Sequence, residues 1–392
     1  MPINRVKITT NNNLVLSNSA NLPLEFELSN ISANQFWSNI KSNGDDLLVY
    51  WNSPSGLVRC PLEIVYINTT AKTGQVYFTT SGSLNVSGSS ATNDFYLYWG
   101  DPSSTQPSSG NTYGYSLVWN PTYLRVWHLQ SGTSSNTMNV VESVYGHNAR
   151  ILNTAASKFT SGFIGSAFSG DNDTGLGLSA NTQLKAGNLI TSGNVSSWQW
   201  WIKPHAAWNS TTLVGKLKNV ISKGSTTNEH FWIYFDEDGA PKFQYYNGED
   251  LNVIACTCAS WNINTWYKMD FVLDNRTGLK NGLWYINGNF VNSAAGLNVI
   301  TEPLTNVNEA IGRHTTTGVG EQDGGFGATI DEIRIRKGLV NANWIKTIYN
   351  YENNNTNFWT VGTVETIEVE SINFYFRGIW EGVGRGVWVG IG

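Results

Sequence analysis

Charge is what this chain of 392 residues has least of. Asp, Glu, Lys and Arg make up 14%, against about 25% in an average globular chain. Neutral polar side chains must therefore cover most of the surface. The 24 Lys and Arg against 29 Asp and Glu leave a net charge of -5 with no basic block. That excludes a nucleic-acid binder, because phosphates need clustered cations. No apolar run reaches the ~20 residues that a membrane-spanning helix requires. Met1–Thr10 has no apolar core of a leader, so no secretory signal is expected. Cysteine is scarce too: Cys60, Cys256 and Cys258 fit neither a zinc spacing nor a disulfide framework. Cys256 and Cys258 stand two apart on an expected strand, where a bridge would be strained. All three are expected as small buried or half-buried thiols.

Catalytic motifs are also missing. There is no serine elbow, no paired-histidine metal motif and no phosphate loop. Glycoside hydrolysis needs two carboxyl groups flanking the bond, and no Glu-x-Asp-x-x-Glu run occurs. Glu365, Glu368 and Glu370 have the wrong spacing, and Asp236, Glu237 and Asp238 form a turn signal. The chain is not expected to be an enzyme.

What the chain has is aromatics, 17 Trp, 17 Tyr and 16 Phe, with 39 Gly among many Asn, Ser and Thr. β-formers separated by turn residues read as an all-β protein. Its clearest strand is Ser197–Pro204, Ser-Trp-Gln-Trp-Trp-Ile-Lys-Pro. Strand side chains repeat every two residues, so Trp198 and Trp200 share one face and Trp201 takes the other. Each buried Trp removes about 150–250 Å² from water, roughly 4–6 kcal/mol of gross burial.

Composition divides the chain into five parts. Residues 1–16 form a polar N-terminal arm. Residues 17–104 form a small β-sandwich, with alternation in Leu22–Leu28 and strands at Asp45–Trp51, Leu62–Ile67, Gln75–Thr79 and Asp94–Trp99. Residues 105–116, rich in Ser, Pro, Gly and Gln, read as a linker. Residues 117–363 form the large domain, with hairpins over Asp236–Gly239 and Asn287–Gly288 and a short helix over Asn341–Tyr351. Residues 364–392 form a C-terminal strand and tail. There Val383, Val387 and Val389 alternate with glycines, and Trp380 and Trp388 lie between. Such a strand lets another backbone come close and is sticky when free. Trp380, Val383, Val387, Trp388 and Val389 are the candidate assembly residues.

Two stretches resemble known families. Ser42–Leu47, Val65–Asn68 and Phe95–Pro102 resemble an all-β domain that often precedes laminin-G-like domains in microbial surface proteins. Leu47-Leu48 departs from that family, which has an Arg after the second acid. Tyr123–Leu129, Phe168–Asp173, Trp198–Pro204, Trp284–Gly288 and Ile330–Ile335 resemble the laminin-G-like branch of the concanavalin A-like lectin/glucanase jelly rolls. The second resemblance implies two stacked antiparallel sheets of six or seven strands each. It also implies a possible Ca²⁺ at Asp171, Asp173 and Asp331, because relatives that bind calcium use acids at these places. The plain alternative is that these acids cap turns and hold backbone amides.

Sugar binding would use aromatic and amide side chains of the sheet face or loops. Tyr245, Tyr246, Asn247, His314 and Asp323 are the candidates, with packing as the alternative for either tyrosine. Glycans and further copies of the chain, or neighbouring surface proteins, are the expected partners. The expected function is a non-enzymatic virion surface protein, of a phage or archaeal virus, that displays a lectin-like jelly roll and assembles through its C-terminal strand. The alternative is a secreted or cell-surface carbohydrate-binding adhesin.

Overall fold

The computed structural model describes residues 3–19, 21–119, 121–130, 139–140, 143–144, 149–152, 159–170, 175–178, 195–208, 218–224, 230–246, 251–258, 260–276, 281–294, 309–311, 327–338 and 340–367. The fold is all-β, with antiparallel pairing throughout the described sheets.

The large domain is a sandwich of two eight-stranded sheets, more strands than the resemblance implied. One sheet holds Val195–Pro204 between Ala328–Lys337 and Tyr267–Asp274. The other runs, in order, Leu251–Ala255, Pro241–Tyr246, His230–Phe235, Lys218–Gly224, Glu309–Ile311, Gly175–Leu178, Ala149–Leu152 and Asn139–Val140. Trp198 and Trp200 point between the sheets into a core with Phe231, Phe243, Phe271 and Trp284. Trp201 faces outward, as the alternation requires, yet it too is buried. The turn at Asn287-Gly288 has both residues at positive φ, 52° and 71°, the geometry of a two-residue hairpin.

What buries Trp201 is Phe163, stacked on its ring, and Tyr349 and Glu352 of the helix Ala342–Asn353; beyond that layer lies the small domain. Its sheets have five and three strands. They enclose a second core that continues onto Val195, Val272 and Tyr285 of the large domain's outer face. The helix Ala342–Asn353, capped by Asn341 Oδ1 accepting from Trp344 N at 2.8 Å, packs into the same layer.

Three expected boundaries change. Residues 1–16 are not a free arm, because Ile3–Thr10 is an interior strand between Asp94–Trp99 and Trp359–Ile367. The break placed at 363/364 falls inside Trp359–Ile367, which completes the small domain's sheet. The small domain is thus built from both ends of the described chain. Nor is 105–116 a loose linker. Gln106 Nε2 donates to the carbonyl of Leu47 at 2.6 Å, and Leu62 N donates to the carbonyl of Tyr113. Short-range composition cannot reveal contacts made across hundreds of residues.

The cysteine expectation was wrong for one pair. Cys256 and Cys258 are joined by a disulfide. The strand ends at Ala255, so the chain bends and the two Cα atoms stand 5.4 Å apart, within bridging range. Cys60 is a buried free thiol, and burial pushes it up to about 12.

Candidate functional site

The two faces of the jelly roll have different fates. The outer face of the sheet holding Trp201 is charged, and that charge is spent on the domain junction. Glu352 accepts from Trp201 Nε1 at 2.8 Å, from Lys268 Nζ at 2.7 Å and from Arg334 Nη1 at 2.5 Å. Arg334 Nη2 also donates to Glu332 at 2.6 Å and to the Tyr77 hydroxyl of the small domain at 2.7 Å. His128 lies between Glu332, at 2.8 Å, and Glu63 of the small domain, at 3.3 Å. Burial alone would lower the pKa of His128. The two carboxylates outweigh it and raise it to about 10, so the ring is an imidazolium at neutral pH. Glu332 is lowered to about 2, because His128 and Arg334 overcome its burial.

A β-bulge assembles part of this network. Trp201 pairs with Asp331 and Gln199 with Arg334, so one strand carries an extra residue between these pairs. Glu332 takes it up at φ 50°. Asp331 Oδ1 accepts from Glu332 N and Oδ2 from Ile164 N, both at 2.9 Å. Burial and the Glu332 charge push the Asp331 carboxyl well above the usual carboxylate range.

The other sheet turns a different surface outward. Phe231, Ile233, Phe235, Phe243 and Tyr245 face the core, so alternation points Trp232, Tyr234, Lys242, Gln244 and Tyr246 away from it. Trp232 pairs across the strands with Gln244, and Tyr234 with Lys242. The Trp232 and Tyr234 rings meet edge to face, their centroids 6.3 Å apart. The Tyr234 hydroxyl donates to Gln244 Oε1 at 3.1 Å, and Asp236 forms an ion pair with Lys242. The next strand adds Leu251 and Val253, both exposed. Tyr234 is itself buried, 6% exposed, and packs against the half-buried Trp232. Trp232, the Gln244 amide and the exposed Leu251 and Val253 are the groups a saccharide could use, because its C–H faces pack on rings and its hydroxyls bond to amides.

The candidate residues distribute as follows. Tyr246 lies half-buried on this outward face. Tyr245, one residue earlier, is fully buried in the core and does not present its ring to a ligand. Asp331 is fully buried, with both oxygens on backbone amides. Asp171, Asp173, Asn247, His314 and Asp323 lie outside the described residues, as do Trp380, Val383, Val387, Trp388 and Val389. Among the described residues no group of three His, Cys, Asp or Glu side chains is placed to hold a metal. The expected site omitted Trp232, Tyr234 and Gln244. The signal was present, since the core phase of Phe231, Ile233 and Phe235 puts Trp232 and Tyr234 on the opposite face.

Residues 173–346 match the laminin-G-like family of the concanavalin A-like lectin/glucanases superfamily. That stretch is a laminin-G-like domain. No curated protein matches the chain in sequence. Among solved structures, the chain is similar to domain 4 of AbnA, an extracellular arabinanase of Geobacillus stearothermophilus, in complex with arabinotriose. The identity is 16% and the TM-score 0.42, over 58% of this chain and 98% of that one. It is also similar to the binding domain of Paraclostridial Mosquitocidal Protein 1, with 11% identity and TM-score 0.41 over 58% and 52%. The binding domain of botulinum neurotoxin serotype G gives 15% and 0.42 over 58% and 50%. The chain spans about half the length of these two toxin structures.

Proposed function

We propose that the protein is a non-enzymatic glycan-binding surface protein and that the outward sheet face around Trp232 is its binding face. The observation that carries this reading is the division of labour between the two sheets. The helix Ala342–Asn353 and the small domain cover one outer face and consume its charges. The aromatic and amide row lies on the other, in a domain of lectin-like family. Binding rather than hydrolysis is favoured because the acids brought together, Glu63 and Glu332, share one imidazolium at the junction. They do not flank an open bond site.

The test is a glycan array probed with the full chain and with Trp232→Ala. Binding by the full chain that Trp232→Ala abolishes supports the reading. Binding that survives Trp232→Ala, or none at all, contradicts it. A chelator arm tests the calcium proposal for Asp171, Asp173 and Asp331: lost binding supports it, and unchanged binding removes it.

The finer proposal is display on a virion, with assembly through the C-terminal segment. It is supported by the low-charge polar surface and by the position of Trp359–Ile367 at the edge of its sheet. The chain therefore runs into its glycine-faced segment from an edge, where a strand can be added. Because Ile367 pairs with Ile3, the truncation that tests this begins at residue 368.

A further inference from the structure

We infer that the cleft at the domain junction is a second ligand site, shaped for one or two neutral sugar units. The inference rests on reading the protein as a glycan binder, but it uses none of the residues of the sheet face.

The cleft has a volume of about 600 Å³, within the usual range for small-molecule sites. Its wall is the strand Leu62–Asn68 of the small domain, with Asn43, Gln106 and Tyr115 around it and Ser143 contributed by the large domain. Glu63 is the one acidic residue among the described lining residues, and no Lys, Arg or His stands among them. Its carboxylate is about nine-tenths buried. Oε2 accepts from Trp119 Nε1 and faces His128 Nε2 at 3.3 Å, while Oε1 has no hydrogen-bond partner among the described residues. The group is held rigidly from behind by two donors, with one acceptor oxygen still unused. Oε1 is not fully buried, so it reaches the cleft's solvent and can exchange a water for a ligand hydroxyl.

The charges around this oxygen select the ligand. An anion, such as a uronate or a sulfated sugar, would be desolvated beside Glu63 with no cation in the described lining to receive it. An ammonium ligand gains little, because the His128 imidazolium already sits against the same carboxylate. A neutral hydroxyl fits, since it donates to Oε1 without adding charge. Gln106 holds the wall by donating through Nε2 to the carbonyls of Leu47 and Gly44, which leaves its own carbonyl oxygen as a second acceptor. Tyr115, 41% exposed, offers a ring to the C–H face of a sugar. A ligand here touches both domains, so it stabilises their junction as well as occupying the cleft.

The test is titration of the full chain with methyl glucoside, methyl galactoside and methyl mannoside, read by saturation-transfer NMR. Glucuronic acid and glucosamine serve as charged controls. Tyr115→Ala lies outside the ion network and keeps the fold, which circular dichroism checks. Glu63→Gln keeps the shape and removes the charge. The titration is run on the intact chain and on the Trp232→Ala chain, in which the sheet face is disabled. In the latter the expected result is binding of at least one neutral glycoside, weakened at least about tenfold when Tyr115→Ala or Glu63→Gln is added. The charged sugars should bind more weakly. Preference for a charged sugar, no glycoside binding, or binding that persists in both cleft variants would overturn the inference. Loss that follows Trp232→Ala alone also overturns it, while leaving the sheet-face reading in place. Conversely, cleft binding with no effect of Trp232→Ala on glycan-array binding would sink the sheet-face reading and keep the cleft.

Discussion

Glu352 is the residue whose removal tests the domain junction most severely. It stands at the end of the helix Ala342–Asn353, is 3% exposed, and accepts from Trp201, Lys268 and Arg334. Glu352→Ala deletes all three acceptor contacts at once. Arg334 keeps Glu332 and Tyr77 as partners. Lys268, also fully buried, loses its only carboxylate hydrogen bond among the described residues. It keeps the Trp201 ring, 5.6 Å from its ammonium, and the more distant charge of Asp270. Breaking a buried pair from one side costs about 3–5 kcal/mol, because an uncompensated charge stays behind. A folded protein typically holds about 5–15 kcal/mol in all, so at least about a fifth of the stability is at stake. Solvent screening does not soften this cost, since neither partner reaches water. The assay is urea denaturation followed by circular dichroism on wild type, Glu352→Ala, Lys268→Met and the double variant. The double variant should recover about 2 kcal/mol or more of the loss, because it removes the orphaned cation. A Glu352→Ala midpoint within about 1 kcal/mol of wild type, or a double variant no better than the single one, would refute the reasoning.

Asp270 gives a prediction of opposite sign. Burial pushes its carboxyl up to about 7, only partly offset by Lys268 and Gln199. The folded state therefore keeps a proton that the unfolded chain releases near pH 4, so this residue lowers stability as pH rises from about 4 to 7. Asp270→Asn should stabilise the protein at pH 8, by up to roughly 4 kcal/mol, and change little at pH 4. Melting temperatures at the two pH values check it, and equal shifts at both would count against it. His128, raised to about 10, contributes stability that is complete below about pH 6.5 and lost as pH climbs toward 10. Denaturation midpoints of wild type should fall across that window, and those of His128→Ala should stay flatter. Residues 117–363 expressed alone would uncover Val272 and Tyr285 and strip Tyr77 from Arg334 and Glu63 from His128. That piece should aggregate where the full chain stays soluble, as size-exclusion chromatography would show. Removing 368–392 should leave the described fold intact and abolish assembly; a truncated chain that still assembles normally removes the tail from the mechanism.

The parts of this fold legible in the sequence were those written locally. The alternation of Ser197–Pro204 placed Trp198, Trp200 and Trp201 on their observed faces. Asn287-Gly288 announced its hairpin, and the helix after the last long strand was visible from Trp344, Ile345 and Ile348. What was hidden depends on distant partners. Ile3–Thr10 looks like an arm until Trp359–Ile367 is seen beside it. The junction gathers Glu63, His128, Lys268, Glu352 and the Glu332–Arg334 pair of one strand from five separate stretches, and no spacing rule joins those stretches. Asp331 was read as a candidate ligand because the bulge that makes it a structural acceptor appears only in the pairing register. Within the candidate site, Tyr246 was found and Tyr245 was not distinguished from it. Applying to His230–Phe235 the same alternation used for the tryptophan strand would have added Trp232 and Tyr234.

The central claim is that the outward sheet face around Trp232 binds glycans while the opposite sheet's outer face is committed to the helix Ala342–Asn353 and the small domain. The most direct measurement is a glycan array on the full chain beside Trp232→Ala, with matched circular dichroism spectra to show that both are folded. Binding of a defined glycan set by the full chain, lost in Trp232→Ala, is the predicted result. Undiminished binding by Trp232→Ala, or no glycan bound by the intact chain, would contradict the claim.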